Sequence, residues 1–239
     1  MPAERYFIDA PFSVGQEVVL EGDECHHLCT VMRTRVGEVV ELVNGRNQLA
    51  VANVQGMAKK SAVLQIERVS SGRPSRPVIL AQAIPRFNRL ETILEKGTEL
   101  GAAAFWLFPG MLSEKKEFSA NQQERMRFIA ISAMKQCGRL DLPAIEIMPP
   151  LAEWPVPAGT FFYGDTHPEA PRFDPKGAVE PIVFLVGPEK GFHEQEVVLL
   201  EKKFQATGVK LHDNILRTDT ASLVALSLID RCAGSSPHR

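Results

Sequence analysis

Ile182-Val-Phe-Leu-Val-Gly-Pro-Glu-Lys-Gly191 is the stretch that decides the fold. A run of consecutive apolar residues stops at Gly187-Pro188, and Val197, Leu200 and Phe204 then recur at helical spacing behind Glu194 and Glu196. Such a run suits a strand covered on both faces, as in parallel sheets flanked by helices. Amides at the start of the next helix then face whatever binds beyond the strand end, and its two glutamates suit the positive end of the helix dipole. The loop matches neither GxxxxGK followed by Ser or Thr nor GxGxxG, so nucleoside-triphosphate and nicotinamide readings lose their main support. Taken alone, it also reads as an ordinary strand-to-helix turn with a rigid proline.

Working outward, strands are predicted over Val78 to Ile84, Ala104 to Phe108, Phe161 to Gly164, Ile182 to Val186 and Gly208 to Leu211. Helices of ten or more residues alternate with them, which predicts an α/β domain with a largely parallel sheet. The first helix carries Leu90, Ile93, Leu94, Gly97 and Leu100 on one face and closes at Gly101. A second presents Met126, Ile129, Ala130, Ala133, Met134 and Cys137. The last, about Thr220 to Arg231, is apolar nearly all round through Ala221, Leu223, Val224, Ala225, Leu226, Leu228 and Ile229. A helix of that kind must be buried on every side, and a second subunit is the simplest cover, so a homodimer is expected.

Upstream of Ser70 the period is different. Runs from Arg5 to Ile8, Glu17 to Leu20, Glu38 to Val43, Gln48 to Val54 and Ala62 to Val69 alternate with turn signals and suggest a small barrel. Asn44-Gly45 is read as a type I′ hairpin turn, with positive φ at both residues. One helix, Asp23 to Arg33, is expected to be capped by Asp23 and to bury Leu28, Val31 and Met32. Ser70-Ser-Gly-Arg-Pro-Ser-Arg-Pro77 reads as a linker, dividing the chain into domains 1–72 and 73–239.

Composition bounds the function. The 239 residues are 44% hydrophobic and 23% charged, a globular profile. No run of about 18 apolar residues occurs and the N-terminus lacks a basic stretch with an apolar core, so neither membrane nor export is indicated and a cytoplasmic address is expected. Cys25, Cys29, Cys137 and Cys232 are few and irregularly spaced, which reads as reduced packing thiols. Net charge is -2, so any nucleic-acid site must be a local patch. From Arg86 to Arg139 nine basic residues stand against six glutamates, a modest excess that an ordinary solvated surface also explains.

Open α/β sheets bind ligands at the carboxyl ends of their strands. Three loops there carry glycine and polar groups: Tyr163-Gly-Asp-Thr-His-Pro168, Val186-Gly-Pro-Glu-Lys-Gly191 and Leu211-His-Asp-Asn-Ile-Leu-Arg-Thr-Asp-Thr-Ala221. In the last, Asp219 capping the helix and Arg217 neutralising it is the structural alternative to a functional role. Phe184-Leu-Val-Gly-Pro-Glu-Lys-Gly191 and Ile215-Leu-Arg-Thr-Asp-Thr-Ala221 resemble the signatures IGPEGG and ILRTETA of the RsmE family of SPOUT-class RNA methyltransferases. Lys96-Gly-Thr-Glu-Leu-Gly101, Gln136-Cys-Gly-Arg139 with Leu142-Pro143, and His27 with Val31, Met32 and Arg33 are similar to further family segments, in the same order along the chain.

The resemblance implies a PUA-like barrel for RNA, a C-terminal α/β domain with a trefoil knot that binds S-adenosyl-L-methionine, and a dimer. It implies methylation of N3 of a uridine in 16S ribosomal RNA, on the free RNA or the small ribosomal subunit. The cofactor is then expected against Asp165, Thr166 and His167; against Leu185, Val186, Gly187, Pro188 and Gly191; and against Leu211, Asn214, Ile215, Leu216, Thr218 and Ala221. RNA is expected over Arg5, Arg33, Arg86, Arg89, Lys115, Lys116 and Arg139. The chain departs from the pattern at Lys190 and His212, where the family has glycines, at Asn214 for an arginine, at Lys135 for a glutamate, and at Asp219 for a glutamate.

Methylating an imide nitrogen requires alignment and relief of negative charge spreading onto the uracil carbonyls. Arg217, charged at any working pH, is the expected stabiliser, and Glu189 or Asp219 either accepts the proton or orients Arg217. The alternative is a non-catalytic RNA-binding protein that keeps the fold, favoured if Lys190 and His212 obstruct the pocket. Cys25-His-His-Leu-Cys29 lacks a second ligand pair at zinc-like spacing, so no metal is expected.

Overall fold

The computed structural model describes residues 4–73 and 75–233. The chain divides into two compact units. One takes the chain before Ser75 together with Ile131–Leu142, and the other takes Ser75–Ala130 and everything from Pro143. The division therefore passes through the middle of a single helix, Ala120–Cys137.

In the first unit, strands β1 (Arg5–Phe7), β2 (Glu17–Glu21), β3 (Val39–Val43), β4 (Gln48–Met57) and β5 (Ser61–Ser71) form one sheet in the order β1-β3-β4-β5-β2. β1 runs parallel to β3 and the other pairs are antiparallel. Along β2, Val18 and Leu20 are buried while Glu17, Val19 and Glu21 are exposed, the alternation of a sheet with one dry face. Tyr6, Leu20, Leu28, Leu42, Leu64 and Ile66 fill that face. Two register shifts between β4 and β5 mark bulges, which bend a ribbon of such long strands.

Three expectations for this unit are corrected. The segment read as one helix from Asp23 to Arg33 is a short helix α1 (Gly22–His26) that passes into a π-helical turn, His27–Val31. Its capping position is Glu21 and no side chain caps it, so Asp23 lies inside the first turn. The wider turn rotates the apolar stripe: Leu28 is buried, but Val31 and Met32 are 60% and 44% exposed. The β3–β4 connection is a four-residue loop, with positive φ at Gly45 and Asn47 and not at Asn44. Asn44 is buried, and its Oδ1 accepts from the Arg46 and Gln48 amides while its Nδ2 donates to the Ala10 carbonyl and Gln48 Oε1. Finally, β5 continues through Ser70 and Ser71, the first residues of the expected linker.

In the second unit, β6 (Val78–Ala83), β7 (Ala104–Phe108), β8 (Ala144–Ile147), β9 (Thr160–Gly164), β10 (Ile182–Val186) and β11 (Thr207–Val209) form an all-parallel sheet ordered β11-β9-β10-β6-β7-β8. β10 lies between β9 and β6 and is buried along its whole length, which is why its sequence is apolar without alternation. β8 escaped the sequence reading because it is a largely exposed edge strand, Ala-Ile-Glu-Ile, with little apolar pattern to detect. Helix α2 (Phe87–Glu99), the first part of α3 (Ala120–Cys137) up to Ala130, and helices α4 (Glu194–Lys202) and α5 (Thr218–Ala233) complete the unit. Leu90, Ile93 and Leu94 of α2, Met126 and Ile129 of α3, and Ala225, Leu226 and Ile229 of α5 share one core with Phe105 and Phe184. Trp154, Phe161, Tyr163, Leu185, Leu200 and Phe204 form a separate cluster. Within this single chain the outward side of α5, with Leu223, Val224 and Leu228, is only half-buried. No helix among the described residues is long and apolar enough to cross a membrane.

Gly97 shows how tightly α2 sits. A Cβ there would lie 2.7 Å from Phe105 Cε1 and 3.4 Å from Leu226 Cδ1. Alanine is the better helix former by up to about 1 kcal/mol, but overpacking a full core costs about 1–3 kcal/mol. Gly97→Ala is therefore expected to lower stability in urea denaturation, and a gain would show that the helix has room to shift.

Candidate active site

The three loops foreseen at the strand ends meet around a single cavity of about 840 Å³. The β9 end supplies Gly164, Asp165, Thr166 and Pro168, the β10 end Val186 to Phe192, and the segment after β11 supplies Val209 to Asp219 with Ala221. A fourth contribution comes from Arg89, in the first turn of α2, just beyond the end of β6.

Local sequence explains how each loop is held. Asp165 Oδ1 accepts from the His167 amide at 2.9 Å and so tightens the first loop. Gly208, paired with Tyr163, has no room for a side chain: a Cβ would lie 2.6 Å from the Tyr163 hydroxyl, which itself donates to Glu201 Oε1 at 2.9 Å. In the second loop the Gly191 amide donates to the Pro188 carbonyl at 2.9 Å, and Gly191 has φ +75°. A Cβ on Gly187 would meet the Gly191 backbone at 2.8 Å, so this turn needs glycine at both ends. Glu196, buried in the first turn of α4, accepts from the His193 amide and from the Met111 amide, at 2.9 and 3.0 Å. The sequence suggested only a dipole role for it, and it also completes a capping box.

Charges in the cavity are mostly paired. Arg89 Nη1 donates to Asp219 Oδ2 at 2.8 Å, while Asp219 Oδ1 is buried with no hydrogen-bond partner among the described residues. Glu189 Oε1 accepts from the Arg86 amide at 2.9 Å, and the Arg86 side chain forks onto both oxygens of Glu114, holding that carboxyl below its ordinary range. At the rim Arg172 grips both oxygens of Asp213, at 2.8 and 2.7 Å, and lowers its pKa likewise. Arg217 is exposed on the wall and has no carboxylate partner among the described residues. Lys190 and His212 also stand in the wall, and neither has positive φ, so the side chains at these positions cause no backbone strain.

Most of the expected cofactor residues line this cavity, and two do not. Leu185 does not line the cavity: along a strand side chains alternate, so with Val186 facing the cavity Leu185 points into the Trp154 cluster. His167 is also absent from the wall, its ring accepting from the Glu169 amide instead. Sequence reasoning missed Lys210 and Phe192, and placed Arg89 with the RNA contacts. The signal for Arg89 was its position just after a parallel strand, which the strand-end rule covers as it does the other loops.

The remaining basic residues differ in availability. In the first unit Arg5 is bound to Glu41 and Arg139 to Asp141, with side chains only 13% and 12% exposed, while Arg33 is exposed. In the second unit Lys115 and Lys116 are exposed. Cys25 and Cys29 lie with their sulfurs 3.7 Å apart, and burial together with that neighbour pushes the Cys25 thiol up to about 11. Among the described residues no three His, Cys, Asp or Glu side chains converge as a metal site.

The comparisons with known proteins agree with this geometry. A family model described as an RNA methyltransferase domain matches residues 73–230, and one described as an RNA methyltransferase PUA domain matches 20–67. The ribosomal RNA small subunit methyltransferase E of Bacillus subtilis is 31% identical over 250 residues, covering 95% of each chain. The crystal structure of a ribosomal RNA small subunit methyltransferase E from Neisseria gonorrhoeae bound to S-adenosyl methionine is 29% identical, with a TM-score of 0.84 over 96% of this chain and 98% of that one. A Legionella pneumophila methyltransferase structure with the same cofactor gives 0.84 at 26% identity, over 97% and 98%.

Arg89→Ala would strip Asp219 of its one ion-pair partner in a half-buried setting. The expected cost is about 1–3 kcal/mol in chemical denaturation, and no change would mean that solvent replaces the guanidinium without penalty.

Proposed function

This chain belongs to the RsmE family of RNA methyltransferases, and on that premise we propose that it transfers a methyl group from S-adenosyl-L-methionine to N3 of a uridine in 16S ribosomal RNA. The observation that carries the reading is the meeting of three loops, distant in sequence, around a cavity with one unpaired arginine in its wall.

The donor set suits the cofactor. Val186, Leu211, Ile215 and Leu216 offer apolar surface for a purine, and the charged groups of Asp165, Lys210 and Arg89 offer partners for the ammonium and carboxylate of its amino-acid end. When bound, the cofactor supplies a methyl group on a positively charged sulfur. The chain's own residues do the rest. Arg217 stabilises the charge that develops on the uracil carbonyls, since its guanidinium has no carboxylate to satisfy. Glu189 is the better proton acceptor of the two carboxylates: it is exposed at the wall and held by one amide, whereas Asp219 is tied to Arg89 and fixes the start of α5. Lys190 and His212 stand in the wall of a cavity of about 840 Å³, which favours the catalytic reading over a non-catalytic relative.

RNA phosphates are assigned to Arg33, Lys115 and Lys116, the exposed cations among the expected contacts that have no carboxylate partner among the described residues; Arg86, also exposed, serves chiefly to hold Glu114 and the Glu189 loop. Binding then weakens as salt rises. A second copy of the chain covers Leu223, Val224 and Leu228, and the fold's trefoil crossing belongs to the same reading.

Arg217→Ala should lower kcat by about 100- to 1000-fold on unmodified small subunits, with calorimetric binding of S-adenosyl-L-methionine retained. Mass spectrometry of the digested RNA locates the methyl group, and full activity of the variant sinks the assignment. Sedimentation should give a dimer for the native chain and a monomer for Val224→Glu. A native monomer would refute the α5 interface.

A further inference from the structure

β6 reads Val-Ile-Leu-Ala-Gln-Ala, and its single polar side chain, Gln82, is completely buried. Burying a carboxamide is costly unless its hydrogen bonds are made, and an apolar residue of the same length would fill the space without that demand. The bonds Gln82 makes all cluster at the site. Nε2 lies 2.8 Å from the Ala83 carbonyl, 3.0 Å from Thr218 Oγ1, and 3.2 and 3.3 Å from the Gly187 and Val186 carbonyls. Oε1 accepts from the Ser222 hydroxyl at 2.7 Å. Thr218 spends its own proton on the Gly187 carbonyl at 2.7 Å, which leaves its oxygen free to accept from Gln82.

We propose that Gln82 is a positioning residue of the methyltransferase site, clasping the Gly187 loop to the first turn of α5 and so fixing where Arg217 and Asp219 stand. Thr218 and Ser222 are four residues apart and lie on one face of α5. Holding both sets the helix along its axis and in rotation. Arg217 and Asp219 flank Thr218 directly, so a small rotation of this turn carries both away from the Glu189 loop. The clasp joins residues more than a hundred positions apart, and apart from the neighbouring Ala83 carbonyl every group it touches belongs either to the carboxyl end of β10 with its loop or to the start of α5. The assignment rests on the proposed activity, but the clasp itself can be read without cofactor or RNA.

The test is Gln82→Met in the full chain, which keeps the length and removes the hydrogen bonds. Hydrogen exchange of the variant alone should speed up by about tenfold or more in peptides covering 186–191 and 217–222, with β9 unchanged. In the functional arm, calorimetry should show S-adenosyl-L-methionine binding weakened about tenfold, and kcat should fall about tenfold with KM for the small subunit within about twofold. A merely structural role predicts a lower melting temperature and faster exchange throughout, with the folded fraction keeping native kcat. That result, or native exchange in both peptides, overturns the proposal. If Gln82→Met does not fold, Ser222→Ala is the deciding variant: faster exchange confined to the same two peptides supports the clasp, and unchanged exchange refutes it. Should the native chain fail to methylate RNA, the activity falls while the exchange result still decides the clasp.

Discussion

The second unit depends on a strand that has no wet side. β10 is buried along its length between two parallel neighbours, so it has nowhere to carry a polar side chain except past its carboxyl end. That constraint concentrates the chemistry. Glycine, proline, glutamate and lysine follow the last apolar residue at once, and the neighbouring strands, running the same way, deliver their own loops to the same edge. A sheet with one dry face, like that of the first unit, has no such compulsion, and its polar residues are spread along every strand.

The same constraint explains what was legible in the sequence. Ile182–Val186 and Ala104–Phe108 were readable to the residue because burial, complete in the first and nearly so in the second, leaves an unbroken apolar run between turn residues. The three loops were readable because polar, glycine-bearing segments stand out after such runs. Two departures in the first unit needed information that periodicity does not hold. The π-helical turn at His27 shifts the buried face without changing composition. Asn44 is diverted by burial into bonding its neighbours' amides, an outcome that dipeptide statistics do not capture. Leu185 was assigned with its neighbour Val186 as though a strand had one face, although alternation alone would have separated them. Arg89 needed only the strand-end rule applied to every strand.

Charge in this chain is largely spent on itself. Arg5, Arg76, Arg86, Arg89, Arg139 and Arg172 each meet a carboxylate, which is consistent with a molecule of net charge -2. Against that background Arg217 is conspicuous: an arginine at the start of a helix, in a cavity wall, with no carboxylate among the described residues to neutralise it. Exposed pairs elsewhere add little stability. The pair between Arg89 and Asp219 differs because it stands beside the cavity and shapes what surrounds the free cation.

The helix that is divided between the two units has a consequence for biosynthesis. The first unit includes Ile131–Leu142, where Lys135 pairs with Glu24, the Leu142 amide donates to the Gly45 carbonyl, and Leu140 accepts from the Asn47 amide. The first of these contacts needs the chain made as far as Lys135, and the last needs it made to Leu142. The nascent N-terminal unit therefore stays incomplete through nearly seventy further codons, and a gene fragment ending at the apparent linker would encode a unit missing part of itself.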